Sequence, residues 1–218
     1  MGALAIDGPA GAGKSTVARA VASALGWRYV DSGAMYRALA LAVLRHGVEP
    51  SDEDAVAAVV ESVEVDLDGT RVWLDGEDVS DRIRATDVTS VVSTVAAHPR
   101  VRAALLDRQR DLAVSADVVM EGRDIGTAVL PDAEVKVYLT AAVDERARRR
   151  ALEEGLPQDE TTLASMVRKL SERDVADATR EVAPLARAAG AHEVDTTGLT
   201  LDEVVARICA IVEQHRRG

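Results

Sequence analysis

The chain has 218 residues, 47% of them hydrophobic, which suits one α/β domain with a well-buried core and is too apolar for a disordered segment. A formal net charge of −11 argues against a general nucleic-acid binder, which carries a basic surface, and leaves room only for local basic pockets. Cys209 is the only cysteine, so an internal disulfide and a multi-thiolate zinc site are excluded, and no run reaches the roughly 18 apolar residues of a membrane helix.

The apolar run Ala3-Leu4-Ala5-Ile6 reads as a strand, and a helical pattern begins at Thr16. Between them stands Gly8-Pro9-Ala10-Gly11-Ala12-Gly13-Lys14-Ser15, the Gly-x4-Gly-Lys-Ser spacing of a phosphate loop in its strand–loop–helix context. The glycines let backbone N–H groups turn inward around phosphates, and the helix that follows adds its positive N-terminal end. Lys14 is placed to reach the β/γ-phosphates of a nucleoside triphosphate, and the Ser15 hydroxyl to ligate Mg²⁺. The bland alternative is a glycine-rich turn with a solvated lysine. No basic segment with an apolar core precedes the first strand, so the expectation is a cytoplasmic enzyme.

Trp27-Arg28-Tyr29-Val30 reads as the second strand, followed by a turn at Asp31-Ser32-Gly33 and a helix from Met35 that ends near Gly47. Another helix starts after Pro50, with Ser51 as its cap. At Val63 the pattern changes to period two: Val63–Leu67, the turn signal Asp68-Gly69, the return run Arg71–Leu74, then Asp75-Gly76 and Glu77–Val79. This predicts a small antiparallel sheet set into an alternating α/β chain. Helical periodicity returns over 87–97, and Pro99 opens a further helix. Asp117–Met120 and Val135–Thr140 read as strands, 143–154 as an arginine- and glutamate-rich helix, and Gly155-Leu156-Pro157 as its break. A helical pattern then runs to about Ala178, His192–Asp195 is a last short strand, and Thr200 starts the final helix with capping-box spacing to Glu203. Five strands alternating with helices predict a parallel sheet covered on both faces.

Phosphate loops serve kinases, ATPases and GTPases alike. The chain contains no asparagine, so the Asn-Lys-x-Asp guanine motif of GTPases is absent. It offers instead arginines near strand ends. Arg37 follows the second strand and Arg123 stands at the mouth of the 118–120 strand, where ligands of α/β sheets bind. A second group comprises Arg146, Arg148, Arg149 and Arg150, and a third Arg168, Arg173 and Arg180. Spread negative charge on a transferring phosphoryl group asks for such residues, since arginine forks bind phosphate bidentately and keep their charge. Helical arginines spaced from glutamates, Arg146 and Arg148 among them, are equally ordinary solvated surface. Four scattered histidines show no metal-ligand spacing.

Taken together, Ile6 to Thr16, Asp31-Ser32-Gly33-Ala34-Met35-Tyr36-Arg37, Ser93 with Pro99-Arg100-Val101-Arg102, Gly122-Arg123-Asp124-Ile125-Gly126-Thr127, Arg173-Asp174-x-x-Asp177-x-x-Arg180, Ala183-Pro184-Leu185 and Asp195-Thr196 closely resemble the bacterial cytidylate kinase family over almost the full length. The resemblance implies an α/β, three-layer P-loop kinase fold: a central five-stranded parallel sheet, an inserted small antiparallel β subdomain and a short helical lid. The division it suggests is core 1–60, inserted nucleotide-monophosphate subdomain 61–97, core 98–150, lid 151–169 and core 170–218. It implies ATP as donor, Mg²⁺, CMP or dCMP as acceptor and a monomer. By the same resemblance Ser32 and Asp177 hold the sugar hydroxyls, and Ser93, Arg102 and Asp124 read the cytosine edge. Arg37, Arg123, Arg173 and Arg180 surround the monophosphate and the transferring phosphate, with Lys14, Arg123, Arg173 and Arg180 catalytic. A carboxylate and a hydroxyl suit the amino group of cytosine, and an arginine suits its acceptors. Local alternatives stand beside these roles: Ser93 as a helix-packing residue, Asp177 as an i,i+3 partner of Arg180, and Asp31 as a helix cap or as a support for the metal's water shell. The competing functions are another small-molecule kinase of the same fold, acting on AMP, UMP, shikimate or a pantetheine compound, and a non-catalytic ATP-binding module.

Overall fold

A computed structural model describes residues 2–114 and 116–217, with the Asp68 side chain left aside. Its central sheet is five-stranded and parallel, with order β2-β6-β1-β7-β8. The strands are β1 (Ala3–Asp7), β2 (Arg28–Asp31), β6 (Val118–Gly122), β7 (Val135–Thr140) and β8 (His192–Asp195). Every pairing is parallel, so the strand C-termini, and the loops that follow them, gather along one edge. The strand pleat decides which core each residue enters. Leu4 and Ile6 of β1 and Val119 of β6 pack with α1 (Lys14–Leu25) and α8 (Leu201–Arg217), through Val17, Val21, Val204 and Ile208. Ala5, Val118 and Met120 face the other way, against Val129 and the partly buried Leu106 and Leu112 of α5 (Pro99–Val114). With no Phe in the chain, both layers are filled mostly by Ala, Val, Leu and Ile.

The second sheet is antiparallel, order β3-β4-β5, from β3 (Val65–Asp68), β4 (Arg71–Leu74) and β5 (Glu77–Asp78). It does not carry a core of its own. Val65, Val72 and Leu74 pack with Leu39 and Leu41 of α2 (Ser32–Arg45), Val56 and Val60 of α3 (Glu53–Ser62), Ile83 of the short turn Arg82–Arg84, Val88 and Val92 of α4 (Thr86–Ala97), and Leu105 of α5.

Several local expectations shift. The segment 31–33 is not a free turn: Asp31 caps α2 by accepting from Ala34 N at 3.0 Å, and the helix begins at Ser32. The cap of α3 is Asp52, which accepts from Ala55 N at 3.1 Å, while the Ser51 hydroxyl turns to Glu49. A carboxylate one residue closer to the helix displaces the serine. The final helix keeps its capping box, with Thr200 N donating to Glu203 at 2.8 Å and Glu203 N to the Thr200 hydroxyl at 3.4 Å. α6 (Val143–Glu153) and α7 (Glu160–Thr179) flank the 154–159 break, and α7 runs unbroken through residue 169 as far as Thr179.

Candidate active site

The phosphate loop is shaped by backbone that only glycine adopts easily. Gly8, Gly11 and Gly13 have φ of 154°, 74° and 84°. A Cβ on Gly8 would stand 2.0 Å from the Leu139 carbonyl oxygen, so the chain passes against β7 with no room for a side chain. Gly13 sits at the N-terminus of α1, whose first residue is Lys14. The Lys14 side chain is buried, and its Nζ donates to Pro9 O at 2.8 Å, folding back over its own loop. Burial, the neighbouring Arg123 and, more weakly, Arg173 push its pKa down to about 7, opposed by Glu121 and Asp7.

A cavity of about 330 Å³ opens from this loop along the C-terminal edge of the sheet. Its lining includes Gly13, Lys14 and Ser15 of the loop together with Ser93, Arg102 and Asp124. Arg37, Arg123, Arg173 and Arg180 line the same cavity. The loop, the Ser93–Arg102–Asp124 set and the arginines from distant parts of the sequence thus share one space. Burial, followed by mutual repulsion with Arg173 and Arg150, lowers Arg37 to about 10; burial and then Arg123 do the same to Arg173. The Arg173 Nε is buried and has no hydrogen-bond partner among the described residues, an orphan donor beside like charges. Cations held this close, with a donor left over, describe an anion site.

The other polar residues are tied down more tightly. Arg123 Nε donates to Asp177 Oδ2 at 3.0 Å. Arg102 pairs with Asp124 through Oδ2, and Arg180 approaches Asp124 Oδ1 at 3.3 Å. The Arg102 guanidinium also lies 5.3 Å from the centre of the Tyr36 ring, a cation–π contact. Ser32 Oγ donates to Glu121 O at 2.7 Å. Ser93, on α4, lines the cavity only half-buried. Asp177 does not pair with Arg180, which stands just past the end of α7; its carboxylate reaches Arg123 instead.

The remaining arginines separate by environment. Arg146 is not solvated surface: it is buried and donates to Ala10 O at 2.9 Å, to Ala141 O and to Asp174, whose other oxygen accepts from Ala10 N at 3.1 Å. It braces the phosphate loop from outside. Arg148 is exposed and pairs with Glu145. Arg149 donates to Glu145 and twice to Thr196. Arg168 is exposed, 4.0 Å from Glu172. Arg150 alone of that group lines the cavity.

Sequence reasoning passed over Glu121, Arg84 and Arg19, which also line the space. Glu121 had a signal: a carboxylate closing an otherwise apolar, fully buried strand is costly unless it has a task. Burial and the nearby Asp31 raise its pKa to about 6, and Lys14 and Ser15 pull it back. Among the described residues no three His, Cys, Asp or Glu side chains come together as a metal cage. A divalent cation here would instead use the Ser15 hydroxyl together with phosphate oxygens. The negative charge of Glu121 and Asp31 on that side suits it.

The cytidylate kinase family model matches residues 4–214. A cytidylate kinase of Oceanobacillus iheyensis is 50% identical over 208 residues, covering 92% of this chain and 89% of the relative. One from Caldanaerobacter subterraneus subsp. tengcongensis is 46% identical, covering 99% of this chain and 96% of the relative. An uncharacterized protein of Eubacterium ventriosum shares the fold at a TM-score of 0.56 and 14% identity, covering 98% of both chains. The chain belongs to the cytidylate kinase family.

Proposed function

We propose that this chain transfers the γ-phosphoryl group of ATP, accompanied by Mg²⁺, to CMP and dCMP, giving ADP with CDP or dCDP. The observation that carries the reading is the enclosed Arg102–Asp124–Arg180 group in the same cavity as the Lys14 loop and the cationic group of Arg37, Arg123 and Arg173. The carboxylate with its two arginines suits a polar base edge, the loop a triphosphate, and the remaining cations two phosphates that must approach each other.

Asp124 and Ser93 accept from the cytosine amino group while Arg102 donates to its ring acceptors. A uracil carbonyl in the same place would leave the carboxylate facing an acceptor, which such a site rejects strongly. Ser32 and Asp177 hold the sugar. Arg37, Arg123, Arg173 and Arg180 orient the acceptor phosphate in line and screen its charge, so no general base is needed for an oxygen that already carries charge at neutral pH. The backbone amides of residues 8–16 and the Lys14 ammonium hold the donor phosphates; when bound, Mg²⁺ neutralises charge on the β- and γ-oxygens. The segment 151–169 acts as a lid and 61–97 as the acceptor-side subdomain, both moving against a core of 1–60, 98–150 and 170–218. Their closure excludes water that would otherwise compete as acceptor. The protein works as a cytoplasmic monomer with no nucleic-acid partner; no described helix is long and apolar enough to cross a membrane.

The test is product analysis by phosphorus NMR. ATP, Mg²⁺ and CMP should yield ADP and CDP in equal amounts with no phosphoryl-enzyme. ADP and inorganic phosphate without CDP would overturn the reading in favour of an ATPase, and no turnover would favour a binding module.

A further inference from the structure

Asp7 is the last residue of β1, directly before Gly8, yet its side chain does not line the cavity. It is buried at 3% exposure, a charged group with no part in the chemistry described above. Its two oxygens are both engaged: Oδ1 accepts from Ile125 N and Oδ2 from Gly126 N, each at 2.8 Å. Those amides open the wide turn after Asp124, in which Val129 N returns to Asp124 O at 3.2 Å and Leu130 N to Ile125 O at 2.7 Å. Such i→i+5 turns are uncommon and concentrate at functional sites.

The sheet register explains why the turn needs support. β1 and β6 pair from Ala3↔Val118 to Asp7↔Gly122 and no further. Arg123 and Asp124 therefore lie just beyond the last ladder pair, and the Asp124 backbone is irregular, with φ −147° and ψ 25°. The carboxylate of Asp7 takes over where the strand pairing ends. Gly126 also approaches it closely, since a Cβ there would lie 3.4 Å from Oδ2.

We propose that Asp7 is a positioning residue for the acceptor site: by holding the Ile125 and Gly126 amides it fixes the turn from which Arg123 and Asp124 reach the cavity. The phosphate loop and the acceptor-reading turn then hang from one strand end. Only the ionised carboxylate offers lone pairs to both amides without a proton in the way. Burial raises its pKa to about 6, the two amides lower it, and Asp124 and Lys14 act in opposite directions from the turn and from α1. Tyr138 on β7 feels the same charge. The clamp is therefore in place at neutral pH.

The selectivity part of the test rests on the cytidylate reading; the exchange part does not. D7N keeps the volume but sets an NH₂ group against one amide. The KM for CMP should rise at least about tenfold, since small displacements of orienting groups carry large rate and binding costs. The KM for ATP should stay within about twofold, and the CMP-over-UMP ratio of kcat/KM should fall about tenfold. Amide hydrogen exchange at Ile125 and Gly126 should quicken while the β1 and β6 amides hold. A merely structural Asp7 would lower the active fraction for CMP and UMP alike, with both KM values and the ratio unchanged. That result, or unaltered exchange at Ile125 and Gly126, overturns the proposal. If the unmutated protein shows no preference for CMP, the cytidylate reading fails and the exchange result still decides the clamp. If D7N does not fold, exchange in the unmutated protein decides: Ile125 and Gly126 amides as fast as an exposed loop contradict it.

Discussion

Arg102 and Asp124 form an ion pair whose side chains are only 7% and 5% exposed, in the same cavity as the phosphate loop. Arg180 shares the same carboxylate from the other side. One carboxylate thus holds two guanidinium groups, so its loss would leave two enclosed cations without their anion.

Truncation of Asp124 should therefore act twice. Asp124→Ala leaves Arg102 and Arg180 enclosed without their partner and is expected to destabilise the protein by about 3–5 kcal/mol. It should also abolish the preference for CMP over UMP while sparing the KM for ATP. Urea unfolding and the two kcat/KM values check this. Full stability with selectivity retained would remove Asp124 from the acceptor site.

Lys14 gives a pH signature. Its native pKa is about 7, set by burial, Arg123 and Arg173, against an ordinary value of 10.5. Between these values the unfolded chain binds more protons, so stability rises with pH from about 7 toward 10, and the penalty is fully present below about 7. Lys14→Met removes the titrating group. Its stability should exceed that of the unmutated protein at pH 6 and converge with it near pH 10, while kcat falls about 10²–10³-fold from loss of a charge at the transferring phosphate. Unfolding midpoints across pH 6–10 test the first part and steady-state rates the second.

Gly8→Ala should damage the donor side alone. The new Cβ would meet the Leu139 carbonyl at 2.0 Å, in a backbone with φ 154°. The loop must shift away from β7, at about 1–3 kcal/mol for the strain. The expected result is a KM for ATP raised well above that for CMP, read from two-substrate kinetics.

Arg173, with its orphan Nε and like-charged neighbours, predicts an anion effect on stability. Pyrophosphate at a hundred times its dissociation constant should stabilise the protein by about 2.7 kcal/mol through linkage. Arg173→Met should fold at least as stably in phosphate-free buffer, lose most of the pyrophosphate effect, and turn over about 10²–10³-fold more slowly. Thermal shifts with and without pyrophosphate check it.

Much of this was legible in the sequence where one local rule decides. Gly8 to Ser15 announces itself because positive φ and phosphate binding demand glycine at fixed spacing. The strand ending at Gly122-Arg123-Asp124 is equally plain, since an apolar run stops abruptly at charges. Capping was harder: Asp31, Ser51 and Asp52 all cap well, and only the helix phase shows that Asp31 and Asp52 take the task. Partnerships across the chain were beyond local pattern. Arg146 looks like its surface neighbours until α6 is placed against Ala10 and Asp174, and Asp177 looks like a partner for Arg180 until Arg123 arrives from β6. Asp7 carried the same signal as Glu121, a carboxylate closing an apolar strand, but its partners were hidden, because the amides it holds lie more than a hundred residues away.

The central claim is tested most directly by steady-state ADP release with ATP and Mg²⁺ against CMP, dCMP, UMP, AMP, GMP and shikimate. The expected result is high kcat/KM for CMP and dCMP, at least about a hundredfold lower for UMP, and background rates for the others. Preferred turnover of AMP or shikimate would contradict the assignment of Ser93, Arg102 and Asp124 to a cytosine edge.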